Sequence, residues 1–181
     1  EFLVQMQGVG HDDQGILVLG ATNIPWGLDS AIRRRFERRI YIPLPDERAR
    51  AYMFKIHTGD TPHNVNDDQW NELGTLAEGY SGSDISVVVR DALMEPVRKC
   101  QSASHFKQIT EDGKQMWQPC PPSDPGAKAM KLIDVPGEEL KVPCIEYEDF
   151  VKVLETSRPS VSQDDLQEHE KFTKDFGQEG Q

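Results

Sequence analysis

The stretch Gly20 to Pro45 reads GATNIPWGLDSAIRRRFERRIYIPLP, and its order decides how the rest of the chain is read. Immediately before it, Ile16, Leu17, Val18 and Leu19 form an unbroken apolar run, the pattern of a parallel strand buried on both faces. Asn23 follows just past the carboxyl end of that run, where open α/β sheets place their ligands. A carboxamide offers one acceptor oxygen and two N–H donors, so it can orient a water and touch an anionic oxygen without adding charge. Asp29 is positioned to cap a short helix, Ser30 to Arg35, which carries Arg33, Arg34 and Arg35 towards its end, with Arg38 and Arg39 just beyond. Phe36 and the alternating Ile40, Ile42 and Leu44 then predict a second strand, closed by Pro43 and Pro45.

This stretch resembles the second region of homology of the AAA ATPases, in which a sensor asparagine ends one strand and arginine fingers precede the next. The resemblance assigns the sensor role to Asn23 and the finger pair to Arg34 and Arg35. Guanidinium groups suit the task because they stay charged and fork towards phosphate oxygens. They can also stabilise charge developing on a transferring phosphoryl group, and a finger lent to a neighbouring subunit makes hydrolysis conditional on assembly. Alone, an asparagine after a strand is a turn residue, and an arginine run is a solvated face or a nucleic-acid patch. Their joint order, with LDSAIRRRF between, favours the catalytic reading. Arg38 and Arg39 are left as candidates for ion pairs at a subunit boundary.

The 181 residues are 36% hydrophobic and 28% charged, enough for a folded core in one domain or two small subdomains. With 31 acidic against 20 basic residues the net charge is −11, which disfavours broad attraction to nucleic acid or anionic lipid. No run is apolar and long enough to predict a membrane-spanning helix, and no secretory signal opens the sequence, so a cytoplasmic setting is expected. Cys100, Cys120 and Cys144 are odd in number and widely spaced, and the five histidines show no metal-ligand spacing, so neither disulfides nor a metal site is expected. Phe2, Leu3 and Met6 read as the end of an amphipathic helix. The sequence contains no GxxxxGK[ST] loop and no apolar strand ending in paired acids. The expectation is a piece of a larger enzyme that does not hydrolyse ATP by itself, its phosphate loop and magnesium-binding acids lying upstream.

After Pro45 the pattern turns helical. Asp46 caps a predicted helix whose Ala49, Tyr52, Met53 and Ile56 share a face, and Gly59 ends it; a second helix is cued by Asp67, carries Trp70, Leu73, Leu76 and Ala77, and stops near Gly79. Ser81 and Asp84 frame a capping box before a third, with Ile85, Val88, Val89 and Ala92, which Pro96 should kink or end. From Ser104 to Pro143 helical periodicity is lost among prolines and glycines, predicting a small β-rich protrusion with short strands near Gln115 to Trp117 and Ala129 to Ile133, or else a disordered loop. Trp117 and Met130 serve either an exposed binding surface or the protrusion's own core. Tyr147, Phe150, Val151 and Leu154 mark a further helix. A last one, from about Ser162 to Phe176, opens on a Ser162/Asp165 capping box, and its Leu166, Phe172 and Phe176 predict docking, the alternative being a solvated tail.

GYSGSDI, residues 79–85, resembles the second sensor region of the AAA clade that includes sorting and microtubule-severing ATPases. By that resemblance Gly82 and Ser83 line the adenosine part of a nucleotide site, and Met53 and His57, in MFKIHTG, pack near the base. The bottom-up alternatives are a plain helix cap for Gly82 and Ser83, core packing for Met53, and a satisfied polar group for His57. The order QSASHF, CPPSDPGA, DVPGEEL, SRPSVS and FTKDFGQEG is similar to the vacuolar-protein-sorting members of the clade along essentially the whole chain.

That resemblance implies the end of a large P-loop α/β subdomain (1–45), a small helical subdomain (46–159) with a β-rich insertion at about 104–143, and a carboxyl-terminal helix (160–181). It implies ATP or ADP with Mg2+ as cofactor, a homo-oligomeric ring usually described as a hexamer, ESCRT-III subunits as substrate, and a dimeric activator at the insertion. Recruitment to the endosomal membrane would run through partners, with no nucleic acid bound. A microtubule-severing ATPase of the same clade and a non-catalytic interaction module are the alternatives.

Overall fold

A computed structural model describes residues 17–111 and 113–177. The readings placed on Ile16 and on the residues before it, including Phe2, Leu3 and Met6, fall outside the described part. The chain divides into two compact units, one of residues 1–43 with 161–181 and one of residues 44–160.

In the first unit, α1 (Ser30–Arg33) is a single turn whose N-cap Asp29 accepts a hydrogen bond from the Ala31 N–H at 2.6 Å. It is two residues shorter than the predicted helix, because Arg34 already serves as its C-cap. The two expected strands are not regular in the described residues: 17–19 and 40–44 run without ladder partners. Leu17 and Leu19 are each 89% exposed and Ile40 and Ile42 are 75% and 85% exposed. A parallel strand buries its faces and pairs its backbone only within a sheet, and no strand is paired to these segments among the described residues. The predicted carboxyl-terminal helix forms as α7 (Gln163–Phe176), its Ser162/Asp165 capping box closed on both sides.

The second unit is a helical bundle carrying a small sheet. Its helices are α2 (Glu47–Thr58), α3 (Asp67–Leu76), α4 (Gly82–Leu93), α5 (Glu95–Ser102) and α6 (Tyr147–Thr156). Asp46 caps α2 as predicted, whereas α3 is capped by Asn66 rather than cued by Asp67. The buried face of α2 is Arg50, Ala51, Phe54 and Thr58, while Tyr52 and Ile56 are left exposed, a rotation from the predicted face. The cause is Phe54, which is wholly buried and meets Phe150 edge to face at 6.1 Å between ring centres. Gly74 lets α3 come close to α2: a Cβ there would stand 2.6 Å from the Glu47 carbonyl oxygen. Arg50 spans the same contact, donating from Nε to the Gly74 carbonyl and from Nη1 to the Pro45 carbonyl, both at 2.8 Å.

Pro96 marks the end of the long helix as predicted: with no N–H it cannot bond back to the Ala92 carbonyl, and α4 stops at Leu93. The break falls at Met94, and Pro96 sits in the first turn of α5, where its missing N–H costs nothing. At this joint Glu95 is buried, and its carboxylate accepts hydrogen bonds from Arg98 and Lys152, both at 2.5 Å. Hydrogen bonds from Lys152 and Arg98 hold its pKa below the ordinary carboxylate value, outweighing the opposing effect of burial. A depressed folded-state pKa gives stability above the unfolded value, roughly 4.3 for glutamate, that is lost as pH falls through the folded one. Glu95→Gln is therefore expected to cost about 1–3 kcal/mol at neutral pH. It should also flatten the fall in melting temperature below about pH 4.5; an unchanged acid limb in a pH series of melting curves would contradict this.

The insertion forms an antiparallel sheet of β1 (His105–Glu111), β2 (Lys114–Pro119) and β3 (Lys128–Ala129) in the order β2-β1-β3. It owns a core of Phe106, Trp117 and Val135, with Met130, Leu132 and Leu140 packed against it. Trp117 and Met130 thus fill the protrusion rather than face a partner. The second predicted strand is shorter than expected: it ends at Ala129, and Leu132–Asp134 turns into a single 3-10 turn. The chain rejoins the bundle where Ile145 pairs with the 62–64 backbone. No described helix is long and apolar enough to cross a membrane.

Candidate nucleotide-sensing site

Asn23 leaves its segment exposed, and the chain turns directly after it, Thr22 Oγ1 accepting the Ile24 N–H at 3.1 Å. A short turn, Pro25–Gly27, then leads into α1. The Phe36 ring closes the loop, lying 3.2 Å from where a Cβ on Gly20 would stand. The segment that carries Asn23 and the segment that carries the arginines are therefore in contact through a glycine that leaves room for a ring.

The arginines are not equivalent. Arg34 is exposed, whereas Arg35 is half-buried and its Nη1 reaches back to the Ala31 carbonyl at 3.5 Å. The Nε atoms of Arg33, Arg35 and Arg39 are buried without a hydrogen-bond partner. Arg33 lies over the Phe176 ring at 5.5 Å. Arg39, offered by the sequence as a boundary ion pair, instead donates to two backbone carbonyls, those of Arg33 at 2.7 Å and Phe176 at 2.9 Å. Among the described residues the ion pairs involve none of Arg33, Arg34, Arg35, Arg38 and Arg39. In a chain of net charge −11, that leaves the exposed Arg34 and Arg38 and the half-buried Arg35 able to meet an anion.

In the second unit, Met53 and Gly82 are brought together: a Cβ on Gly82 would meet Met53 Sδ at 3.6 Å. Met53 is half-buried on α2, and Ser83 is exposed one residue into α4. His57 is exposed one turn further along α2, in its last turn. The start of α4 is held by the Ser81/Asp84 capping box, and Asp84 also accepts the Ser160 N–H at 3.3 Å. Burial raises the Asp84 pKa, but hydrogen bonds from Ser81 and Ser160 outweigh it and keep the carboxylate below its ordinary value. The predicted cap is thus real. A Cβ on Gly82 would only just touch Met53, so the glycine leaves the Met53 thioether bare on that side. Ser160 at this corner and the Arg39 bridge were not anticipated, since the sequence carries no local signal for contacts made across 76 and 137 positions.

Among the described residues no three His, Cys, Asp or Glu side chains converge as a metal set.

Three family models match successive parts of the chain. These are the ATPase family associated with various cellular activities over residues 1–44, the AAA+ lid domain over 67–111, and the Vps4 C terminal oligomerisation domain over 117–177. Vacuolar protein sorting-associated protein 4A of Homo sapiens is 57% identical over 187 residues, covering 99% of this chain and 43% of that protein's length. A crystal structure of Vps4 and Vta1 matches with a TM-score of 0.53 at 43% identity, over 64% of this chain and 100% of the solved one. The crystal structure of the FIGL-1 AAA domain matches with a TM-score of 0.74 at 28% identity, over 98% of this chain and 50% of that one.

Proposed function

The chain belongs to the AAA ATPase family, in its Vps4 group, and from that premise we propose that the full-length protein is a ring-forming ATPase that uses ATP to take apart ESCRT-III polymers at endosomal membranes. The observation that carries this reading is the Arg34–Arg35 pair, with no ion-pair partner among the described residues, on the unit that also carries Asn23. Arg34 and Arg35 act as fingers towards a neighbouring subunit's nucleotide, and Asn23 orients the attacking water beside the γ-phosphate of the chain's own. A finger is worth roughly 10³ to 10⁵ in rate because it meets charge that develops in the transition state.

Met53, Gly82 and Ser83 hold the adenosine, with Met53 against the base, and His57 stands one turn away on the same helix. Mg2+ bound together with ATP would supply positive charge that offsets the charge of the phosphates. The sheet of the insertion receives a dimeric activator; the solved pairing of a similar chain in a structure of Vps4 and Vta1 supports this role. The protein is expected in the cytoplasm, recruited to the endosomal membrane by its partners.

The test is a pelleting assay. ESCRT-III polymers incubated with full-length protein and ATP should release subunits to the supernatant, and should stay in the pellet with a non-hydrolysable analogue. Loss of polymerised tubulin with no effect on ESCRT-III would replace this reading with the microtubule-severing one. No effect on either, despite ATP hydrolysis, would point to a different substrate.

A further inference from the structure

The Arg39 guanidinium joins two backbone ends that lie 137 positions apart. One Nη donates to the Arg33 carbonyl at 2.7 Å and the other to the Phe176 carbonyl at 2.9 Å. Arg33 closes α1 and is followed directly by the Arg34–Arg35 pair; Phe176 is the last residue of α7. Carbonyls at a helix end lack intrahelical donors and carry partial negative charge, so a planar cation with two forks satisfies both at once. A second contact comes from Arg33, whose guanidinium lies 5.5 Å over the Phe176 ring. Two turns earlier on α7, His169 meets Trp26 edge-on at 4.8 Å and stacks with Tyr41 at 5.7 Å. These contacts fix α7 on both sides of the arginine segment, within one unit.

We propose that Arg39 is a positioning residue for Arg34 and Arg35: it ties the end of α1 to the end of α7, so that the pair projects in one orientation. The inference rests on reading that pair as fingers. Arg39 donates from both Nη atoms to carbonyls of its own chain, which sets it beside the pair and not among the fingers. A lysine in its place would keep the charge but bring one ammonium where two forks are needed.

The test uses full-length protein. Arg39→Ala should bind a fluorescent ATP analogue normally and assemble normally, while kcat falls about 10- to 100-fold, the scale of a misplaced catalytic group, with little change in KM. Arg39→Lys should lie between it and the unaltered protein. Mixed assemblies supply the readout that a general structural role would not give. Arg39→Ala mixed with protein whose magnesium-binding acids are neutralised should regain activity, because intact fingers then meet intact sites. Mixed with the Arg34→Ala and Arg35→Ala double variant it should regain none, since both partners lack working fingers.

Rescue by the double variant would place Arg39 in a different function and overturn the proposal, as would normal turnover by Arg39→Ala. Failure of both Arg39→Ala and Arg39→Lys to assemble would assign the bridge to folding and also overturn it. The premise fails separately: normal turnover by the double variant removes the finger reading, whereas an inactive double variant beside a normal Arg39→Ala removes only the positioning role.

Discussion

Full-length protein carrying Arg34→Ala and Arg35→Ala will bind ATP with nearly unchanged affinity and lose hydrolysis by roughly 10³-fold or more. The separation follows from where the charge acts. The pair sits on the unit formed by residues 1–43 with 161–181, while the proposed adenosine contacts at Met53 and Gly82 belong to residues 44–160 and are untouched by the substitution. Binding energy that appears only in the transition state lowers kcat and leaves ground-state affinity alone. Steady-state turnover at saturating ATP, read beside equilibrium binding of a fluorescent nucleotide, checks both halves. Retained turnover would contradict the finger assignment. A parallel loss of binding would instead move the pair to the chain's own nucleotide.

What the sequence disclosed depended on how local the cause was. The capping boxes at Ser81/Asp84 and Ser162/Asp165 close within three residues, and both form where they were read. Asn23 and the arginines were legible because their order within a short stretch is itself the signal. The face of α2 was not: Tyr52 and Ile56 fit an apolar stripe as well as Phe54 does, and the choice was made by Phe150, which arrives from another helix and is itself packed on Trp70.

Trp117 posed the same problem on a smaller scale. An aromatic in a turn-rich stretch has no visible partner until Phe106 and Val135 close over it. The runs at 17–19 and 40–44 are strand-like by composition, but a strand is defined by pairing, and pairing is supplied by other segments. Arg39 was the least legible. Its character as a bridge depends on a carbonyl at Phe176, and a backbone carbonyl leaves no mark in composition or spacing.

Phe150→Ala is expected to be the most damaging single substitution in the helical unit. Phe150 on α6 is wholly buried, and its ring meets Phe54 at 6.1 Å and Trp70 at 5.5 Å, both edge to face, so it joins α6 to α2 and α3 at once. Truncation removes the transfer free energy of the ring and leaves a cavity between three helices that cannot all collapse into it, a loss of about 3–5 kcal/mol. Against a total stability of roughly 5–15 kcal/mol, that removes between about a fifth and the whole of the margin. Phe150→Leu keeps much of the volume but loses both ring contacts, and should cost less than Phe150→Ala, which separates the cavity from the ring contacts. The consequence extends to the nucleotide, because α2 carries both Phe54 and Met53. As Phe54 loses its partner, Met53 loses its fixed place beside Gly82, and ATP affinity should fall in Phe150→Ala even at temperatures where the unit remains folded. Denaturant melts paired with nucleotide titrations test both effects. A loss under about 1 kcal/mol would show that the helices are held together elsewhere. Full stability loss with unchanged ATP affinity would show that Met53 does not depend on this core.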